Sequence, residues 1–227
     1  GMNGEVLHEW NFPLVPGNNV YLMENGNLLW SGEPEDKGAY NGEAHSRFEG
    51  GEGPALKGGR GGVLREIHWD GNILWEHINY DQHHDCRRLA NGNTLFLGWE
   101  IMPEASTKRV LGGQSGTEFN NLIYGDYLHE VTSDGDVAWE WHAHSDMELE
   151  NYPMCARCQR NEFAHANACA PLPNGDVMIS FRRLNMIAII DRETRKFRWE
   201  HRDDNWGHQH DCQMLDNGNI MLFANGL

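Results

Sequence analysis

The sequence is poor in positive charge and has neither a long apolar run nor an even set of cysteines. Lysine and arginine number 18 against 34 aspartates and glutamates, giving a formal net charge of −16. No Lys/Arg cluster interrupts this acidic background, which argues against a nucleic-acid partner. An anionic ligand would need positive groups focused locally against the protein's own field. No stretch approaches the roughly 20 apolar residues of a membrane-spanning helix, so no membrane partner is expected. No signal peptide is visible. Gly1 ahead of Met2 reads as a residue left before a native start, so a removed leader stays open; cytoplasm is slightly preferred, and periplasm is the alternative. Five cysteines (Cys86, Cys155, Cys158, Cys169 and Cys212) cannot form a complete disulfide framework. The run Gly58-Gly59-Arg60-Gly61-Gly62 lacks the Lys-Ser/Thr ending of a phosphate loop and reads as a flexible insertion.

Glycine and tryptophan are plentiful, at 26 and nine residues, a mixture that suits short strands and tight turns. The chain repeats itself. His84-Asp85-Cys86 with Leu89-Ala90-Asn91-Gly92-Asn93 matches His210-Asp211-Cys212 with Leu215-Asp216-Asn217-Gly218-Asn219. Asn167-Ala168-Cys169 with Leu172-Pro173-Asn174-Gly175-Asp176 is a third copy, and Met23-Glu24-Asn25-Gly26-Asn27 ends a weaker one. A second half-unit recurs as Gly71 to Glu76, Gly135 to Glu140 and Lys196 to Glu200, each with a tryptophan (Trp75, Trp139, Trp199); Gly4 to Trp10 looks like a detached copy. Asn-Gly between apolar runs signals a hairpin in which both central residues take positive φ, and Asp70-Gly71 and Asp134-Gly135 mark a second hairpin. Each unit is therefore four strands, A to D, and the chain is expected to be all-β: a β-propeller of four-stranded antiparallel blades. The copies at 167 and 210 are 43 residues apart, a blade-like length.

A single propeller domain over 1–227 is expected, with insertions at about 32–62, 103–124 and 142–163. About three and a half blades are legible, so either the sequence is a piece of a longer ring, which we expect to be six-bladed, or another chain closes it. Homo-oligomerisation stays open. The tryptophans are expected to pack between blades, and Cys86, Cys169 and Cys212, which share one repeat position, to pack in the core.

Strand A of a propeller lines the channel, so residues just before it gather at one mouth. The repeat stacks His84, Asn167 and His210 at one position and Gln82, His165 and His208 two residues earlier. Arg182 and Arg183 close strand B of the third unit, returning Arg183 to the same mouth. Imidazole is a nucleophile near neutral pH, and Arg and Asn stabilise charge on transferring oxygens.

The stretch from Phe163-Ala164-His165-Ala166-Asn167 through Ile179-Ser180-Phe181-Arg182-Arg183, Ala188 to Asp191, Trp199, and Gly207-His208-Gln209-His210-Asp211 to Phe223 resembles the PAPS-independent arylsulfotransferases. The resemblance covers most of 63–227. It implies a sulfotransferase that moves a sulfuryl group from a small anionic aryl sulfate to a phenolic acceptor, by a ping-pong route through sulfohistidine, with no cofactor. His165 would be the nucleophile and Asn167 and Arg183 would hold sulfuryl oxygens. His208 or His210, and His84, would bind oxygens or move protons.

Other readings stay open. His84, His208 and His210 with Asp85 or Asp211 could hold a divalent ion in a metal-assisted propeller hydrolase or lyase. The mouth could also belong to a non-catalytic propeller that binds a ligand or protein. Histidines beside aspartates could be purely structural. Cys155 and Cys158 form a CxxC; with His142 and His144 upstream they could hold zinc, or they could be a disulfide pair or have no special role.

Overall fold

The computed structural model describes residues 1–33, 56 and 58–226. Blade one comprises β1 (Val15–Leu22), β2 (Leu28–Glu33), β3 (Val63–Ile67) and β4 (Ile73–Ile78), hydrogen-bonded in that order. Most of the expected 32–62 insertion lies outside the described residues. Blade two has β5 (Gln82–Arg88) and β6 (Thr94–Ile101), then β8 (Tyr124–Val131) and β9 (Val137–His142), while β7 (Gly112–Gln114) sits in the segment between. After β10 (Met154–Gln159), blade three is β11 (Ala166–Pro171), β12 (Val177–Phe181), β13 (Met186–Ile190) and β14 (Phe197–Arg202). A last hairpin pairs β15 (His210–Met214) with β16 (Ile220–Phe223). All blade pairings are antiparallel, and the chain is a β-propeller carrying three blades and the inner half of a fourth.

The Asn-Gly turns are built differently from the sequence expectation. Only the glycine is left-handed (Gly26, Gly92, Gly175 and Gly218 at φ 81–91°), and the preceding asparagines are not. Gly92 donates to the Leu89 carbonyl at 3.0 Å and Leu89 to the Asn93 carbonyl at 2.8 Å, the pattern of a type I turn closed by a left-handed glycine. The asparagine contributes through its side chain instead. Asn25, Asn91, Asn174 and Asn217 each accept a hydrogen bond from the backbone N–H two residues on, at 3.0–3.2 Å.

The tryptophans hook neighbouring units together. Trp75 Nε1 donates to the Ser133 carbonyl and Trp139 Nε1 to the Arg192 carbonyl, both at 3.0 Å. Residues 4–10 form no strand, yet Trp10 Nε1 makes the equivalent bond to the His68 carbonyl at 3.2 Å. Cys86, Cys169 and Cys212 are fully buried, and burial raises all three thiols, Cys212 to about 12.

Asp85 sits among three blades. Its carboxylate accepts from Asn19 Nδ2 (2.6 Å) and Tyr21 Oη (2.8 Å) of blade one, Arg87 Nε (3.2 Å) of blade two and the Cys169 N–H (2.8 Å) of blade three. It is a buried structural node: burial raises its carboxyl pKa, and Arg87, the Cys169 N–H and Tyr21 offset part of that cost.

The segments at 103–124 and 142–163 lock onto each other through a parallel β7–β10 pairing. Gly112, at φ +74°, makes the approach possible, because a Cβ there would lie 2.3 Å from the Met154 carbonyl oxygen. Arg160 reinforces the pair through Glu118 (2.6 Å) and the carbonyls of Gly112 and Val110.

Candidate active site

Each strand A carries a pairing irregularity in its ladder: between Pro16 and Val20, His83 and Cys86, Ala166 and Ala168, and His210 and Gln213. Bulges of this kind bend a strand and re-aim its side chains. His84, His165 and His208 all have left-handed backbones, at φ 48°, 54° and 67°. That conformation is unfavourable for a non-glycine residue and is held here by surrounding bonds.

His84 is buried, and its N–H donates to the Gly59 carbonyl at 2.5 Å. Gly59 is itself left-handed, and a Cβ on it would lie 2.2 Å from the His84 ring. Gly61 fits equally tightly against the Gln82 amide oxygen, which binds the Gly62 N–H and Ser31 Oγ at 3.0 Å. The glycine run at 58–62, expected to be a flexible insertion, is instead packed over strand A of blade two. Glycine was needed for close approach rather than for freedom.

Behind His84 lies a residue that the sequence reading passed over. His83 is fully buried, stacked on Trp99 at 4.1 Å, with Nε2 facing Asp126 Oδ1 at 3.4 Å. Its Nδ1 is 2.9 Å from His84 Nδ1. In the tautomer that carries the His83 proton on Nε2, His84 donates Nδ1–H to His83 and keeps a lone pair on its own Nε2. Burial, followed by His83 and His165, holds the His84 pKa well below the usual histidine range, so the ring is neutral.

The His165 ring lies 4.7 Å from that of His84. Its Nδ1 is 2.7 Å from Glu162 Oε2. Glu162 is buried, accepts from Trp99 Nε1 at 2.7 Å and lies 3.3 Å from Arg183 Nη2. Burial works to raise its pKa, but His165, Arg183 and His83 outweigh it and hold the carboxyl far below the ordinary carboxylate value. In the neutral form of the ring, an ionised Glu162 holds the His165 proton on Nδ1 and leaves the lone pair on Nε2. Glu162 is the second residue missed. Its only sequence trace is a Glu three positions before the His, which becomes a contact because the Phe163–His165 turn (N···O 2.9 Å) folds the two together.

The two arginines divide differently from the expectation. Arg183 Nη1 donates to the Gln159 carbonyl (2.6 Å), Asn161 Oδ1 (3.0 Å) and the Glu162 carbonyl (2.5 Å). It clamps the 159–162 loop and pairs with Glu162, and only its buried Nε has no partner. Arg182 makes no side-chain hydrogen bond or ion pair among the described residues, and its charge bears on His208 and His210. Among the described residues, Arg182 is therefore the uncommitted cation near His208 and His210. Asn167 donates Nδ2 to the Gln209 carbonyl at 2.7 Å, leaving its buried Oδ1 unpartnered.

His210 is half-buried, and burial together with Arg182 and His165 lowers its pKa. The Asn225 amide donates to the His208 carbonyl at 2.6 Å, which orients it with Nδ2 toward His210 Nδ1 at 3.3 Å. His210 Nδ1 is thus an acceptor, and its Nε2 carries the proton. His208 turns away, with Nε2 3.5 Å from Cys158 Sγ.

The zinc set expected from sequence, Cys155 and Cys158 with His142 and His144, does not come together. His142 and His144 cluster with Glu100, His142 Nδ1 lying 2.7 Å from Glu100 Oε1, while the cysteines cluster with His208. The reason is topological: β9 delivers His142 against blade two, whereas β10 carries the cysteines toward the fourth-blade hairpin. Among the described residues, His84, His208 and His210 form no metal-type cluster with Asp85 or Asp211.

No curated protein matches the chain. Among solved structures, a streptogramin B lyase is similar at a TM-score of 0.50 and 10% identity, covering 95% of this chain and 50% of its own. A virginiamycin B lyase from Staphylococcus aureus gives 0.48 and 13%, with 93% and 50% covered. A protein of unknown function from Bacteroides caccae gives 0.38 and 12%, with 92% and 70% covered. The chain thus spans about half the length of the lyases, and at these identities the first likeness speaks to the propeller fold alone. The sequence model of the arylsulfotransferase (ASST) family matches residues 61–206, a stretch that holds His84, Glu162, His165, Asn167, Arg182 and Arg183. With more than half of its length matched, this chain belongs to the arylsulfotransferase family.

Proposed function

We propose that the protein transfers a sulfuryl group from an aryl sulfate to a phenol in two steps, through sulfohistidine at His165. The observation that carries this reading is the 2.7 Å contact from His165 Nδ1 to a buried, ionised Glu162. In the neutral ring that contact puts the lone pair on Nε2, and Arg182, whose backbone N–H donates to the His165 carbonyl at 3.0 Å, makes no side-chain hydrogen bond or ion pair among the described residues.

In the first step His165 Nε2 forms a bond to sulfur as the sulfur–oxygen bond to the aryl group breaks. The electron pair leaves with the aryl oxygen, which takes a proton from solvent. The positive charge that develops on the ring is balanced by Glu162. Arg182 and the His210 Nε2–H bind the sulfuryl oxygens, the role assigned from sequence to Arg183, which acts here through Glu162. In the second step a phenol gives its proton to the neutral His84 Nε2 while its oxygen attacks sulfur, the nitrogen–sulfur bond breaks to restore His165, and His84 releases the proton to solvent. The unpartnered Asn167 Oδ1 suits the acceptor's hydroxyl hydrogen. A single propeller domain over 1–227 frames the site in this reading.

The test is incubation with 4-nitrophenyl sulfate, with and without phenol, followed by intact mass. Phenol-dependent nitrophenol release is expected, with a transient gain of one sulfuryl group that disappears in His165→Ala. An adduct that survives in His165→Ala and is lost in His210→Ala would move the nucleophile to His210. No release and no adduct from folded protein would defeat the transferase reading.

A further inference from the structure

Beside the mouth, three soft ligand atoms converge that the proposed transfer does not use. Cys155 Sγ, Cys158 Sγ and a ring nitrogen of His208 all lie within 4.8 Å of one another, and His208 Nε2 is 3.5 Å from Cys158 Sγ. A regular strand rises about 3.3 Å per residue, so two cysteines three apart should be about 10 Å apart and face opposite ways. They meet because the β7–β10 ladder shifts register between Met154 and Gln159. Both cysteines are free thiols.

We propose that Cys155, Cys158 and His208 form a zinc site whose fourth position is open. The geometry is specific. With a Zn–S bond of about 2.3 Å, a Zn–N bond of about 2.05 Å and a tetrahedral angle, sulfur and nitrogen lie about 3.5 Å apart. Cys158 Sγ and His208 Nε2 are separated by 3.5 Å. The residues are held ready from outside the cluster. His208 donates its N–H to Asn185 Oδ1 at 2.9 Å, and its carbonyl is held by Asn225 at 2.6 Å. Arg183 grips the Gln159 carbonyl next to Cys158 at 2.6 Å. These bonds fix the backbone of His208 and of the residue beside Cys158, so the two ligands are positioned before an ion arrives. Charge is also balanced: two thiolates and Zn²⁺ sum to zero, so the ion can sit near Arg182 and Arg183, whose charges already reach Cys158. Two sulfurs and one imidazole favour zinc over calcium or magnesium, and three protein ligands leave a place for water. The ion would staple the 142–163 segment to the fourth-blade hairpin at the rim of the mouth. This site is independent of the sulfuryl-transfer reading and can fail without it.

The experiment is a Co²⁺ titration of the full, reduced, metal-stripped chain in the absence of oxygen. Expected are thiolate-to-cobalt absorption and tetrahedral ligand-field bands that saturate at one equivalent and vanish when one equivalent of Zn²⁺ is added. Cys155→Ser, at a half-exposed position, should weaken binding by roughly tenfold or more, as should His208→Gln, while His144→Gln should leave the titration unchanged. Absence of the thiolate band in the wild-type protein, or a band that depends on His144 and not on Cys155 and His208, would overturn the proposal.

Discussion

Replacing Glu162 by Gln tests the centre of the mechanism without changing its shape. The glutamine oxygen can still accept from Trp99 Nε1, where the carboxylate accepts at 2.7 Å. Its nitrogen must then occupy the position of Oε2, 2.7 Å from His165 Nδ1 and 3.3 Å from Arg183 Nη2. An amide N–H there donates to Nδ1, so the His165 proton moves to Nε2 and the lone pair facing the substrate is lost. An acid-to-amide change that imposes the wrong imidazole tautomer costs a serine protease about 10⁴ in kcat, and a loss of roughly 10²–10⁴ is expected for sulfohistidine formation. Removing one partner of a buried charge pair also costs about 3–5 kcal/mol of stability, so denaturant unfolding must establish that the variant is folded under assay conditions. Stopped-flow release of 4-nitrophenol gives the rate of the first step, and ¹⁵N NMR of the histidine ring reports the tautomer directly. A folded variant with the altered tautomer and a rate within about tenfold of wild type would refute the assignment of His165 Nε2 as nucleophile.

Further expectations follow from the same contacts. Asp85→Ala removes the acceptor shared by Asn19, Tyr21, Arg87 and the Cys169 N–H; a loss of about 3–5 kcal/mol should appear in urea unfolding, and a change near zero would mean that the three-blade node is not structural. Arg182→Ala should raise KM for the aryl sulfate by roughly ten- to hundredfold at nearly unchanged stability, the value of a hydrogen bond to a charged group, whereas Arg183→Ala should lower stability first; the reverse pattern would return the anion-binding role to Arg183. His84 contributes a pH dependence of known sign. Its folded pKa lies below 6.5, so its contribution is intact above that pH. The contribution declines as pH falls below 6.5 toward the folded value, by at most about 1.4 kcal/mol per pH unit. His84→Gln should flatten that slope in urea titrations between about pH 7 and 5, and an unchanged slope would contradict the burial of a neutral ring.

Much of the architecture could be read from the repeats, because a blade's turns are local. Asn-Gly and Asp-Gly mark hairpins wherever they fall, and Trp75 and Trp139 mark outer strands that hook the next blade. The turn type was misread because both turn classes use Asn-Gly; only backbone angles separate an asparagine needed for φ from one needed for its side chain. The glycines at 58–62 looked flexible for a similar reason. A glycine that permits close packing and one that permits motion are the same letter, and only the His84 ring beneath Gly59 distinguishes them.

The repeat therefore specified the blades and the shared positions of the histidines along them, since period and turn chemistry are properties of neighbouring residues. It could not specify what each side chain does there. Which of two adjacent arginines clamps a loop and which stays uncommitted depends on the Arg182–Leu184 turn and on where the 159–162 carbonyls lie. Whether Cys158 meets His142 or His208 depends on a parallel pairing between two insertions whose partner residues lie more than 40 positions apart. The ring contacts of His84 and His165 are made by His83 and Glu162, buried groups that act by proximity. Contacts across blades and insertions follow from packing, and no local pattern encodes them.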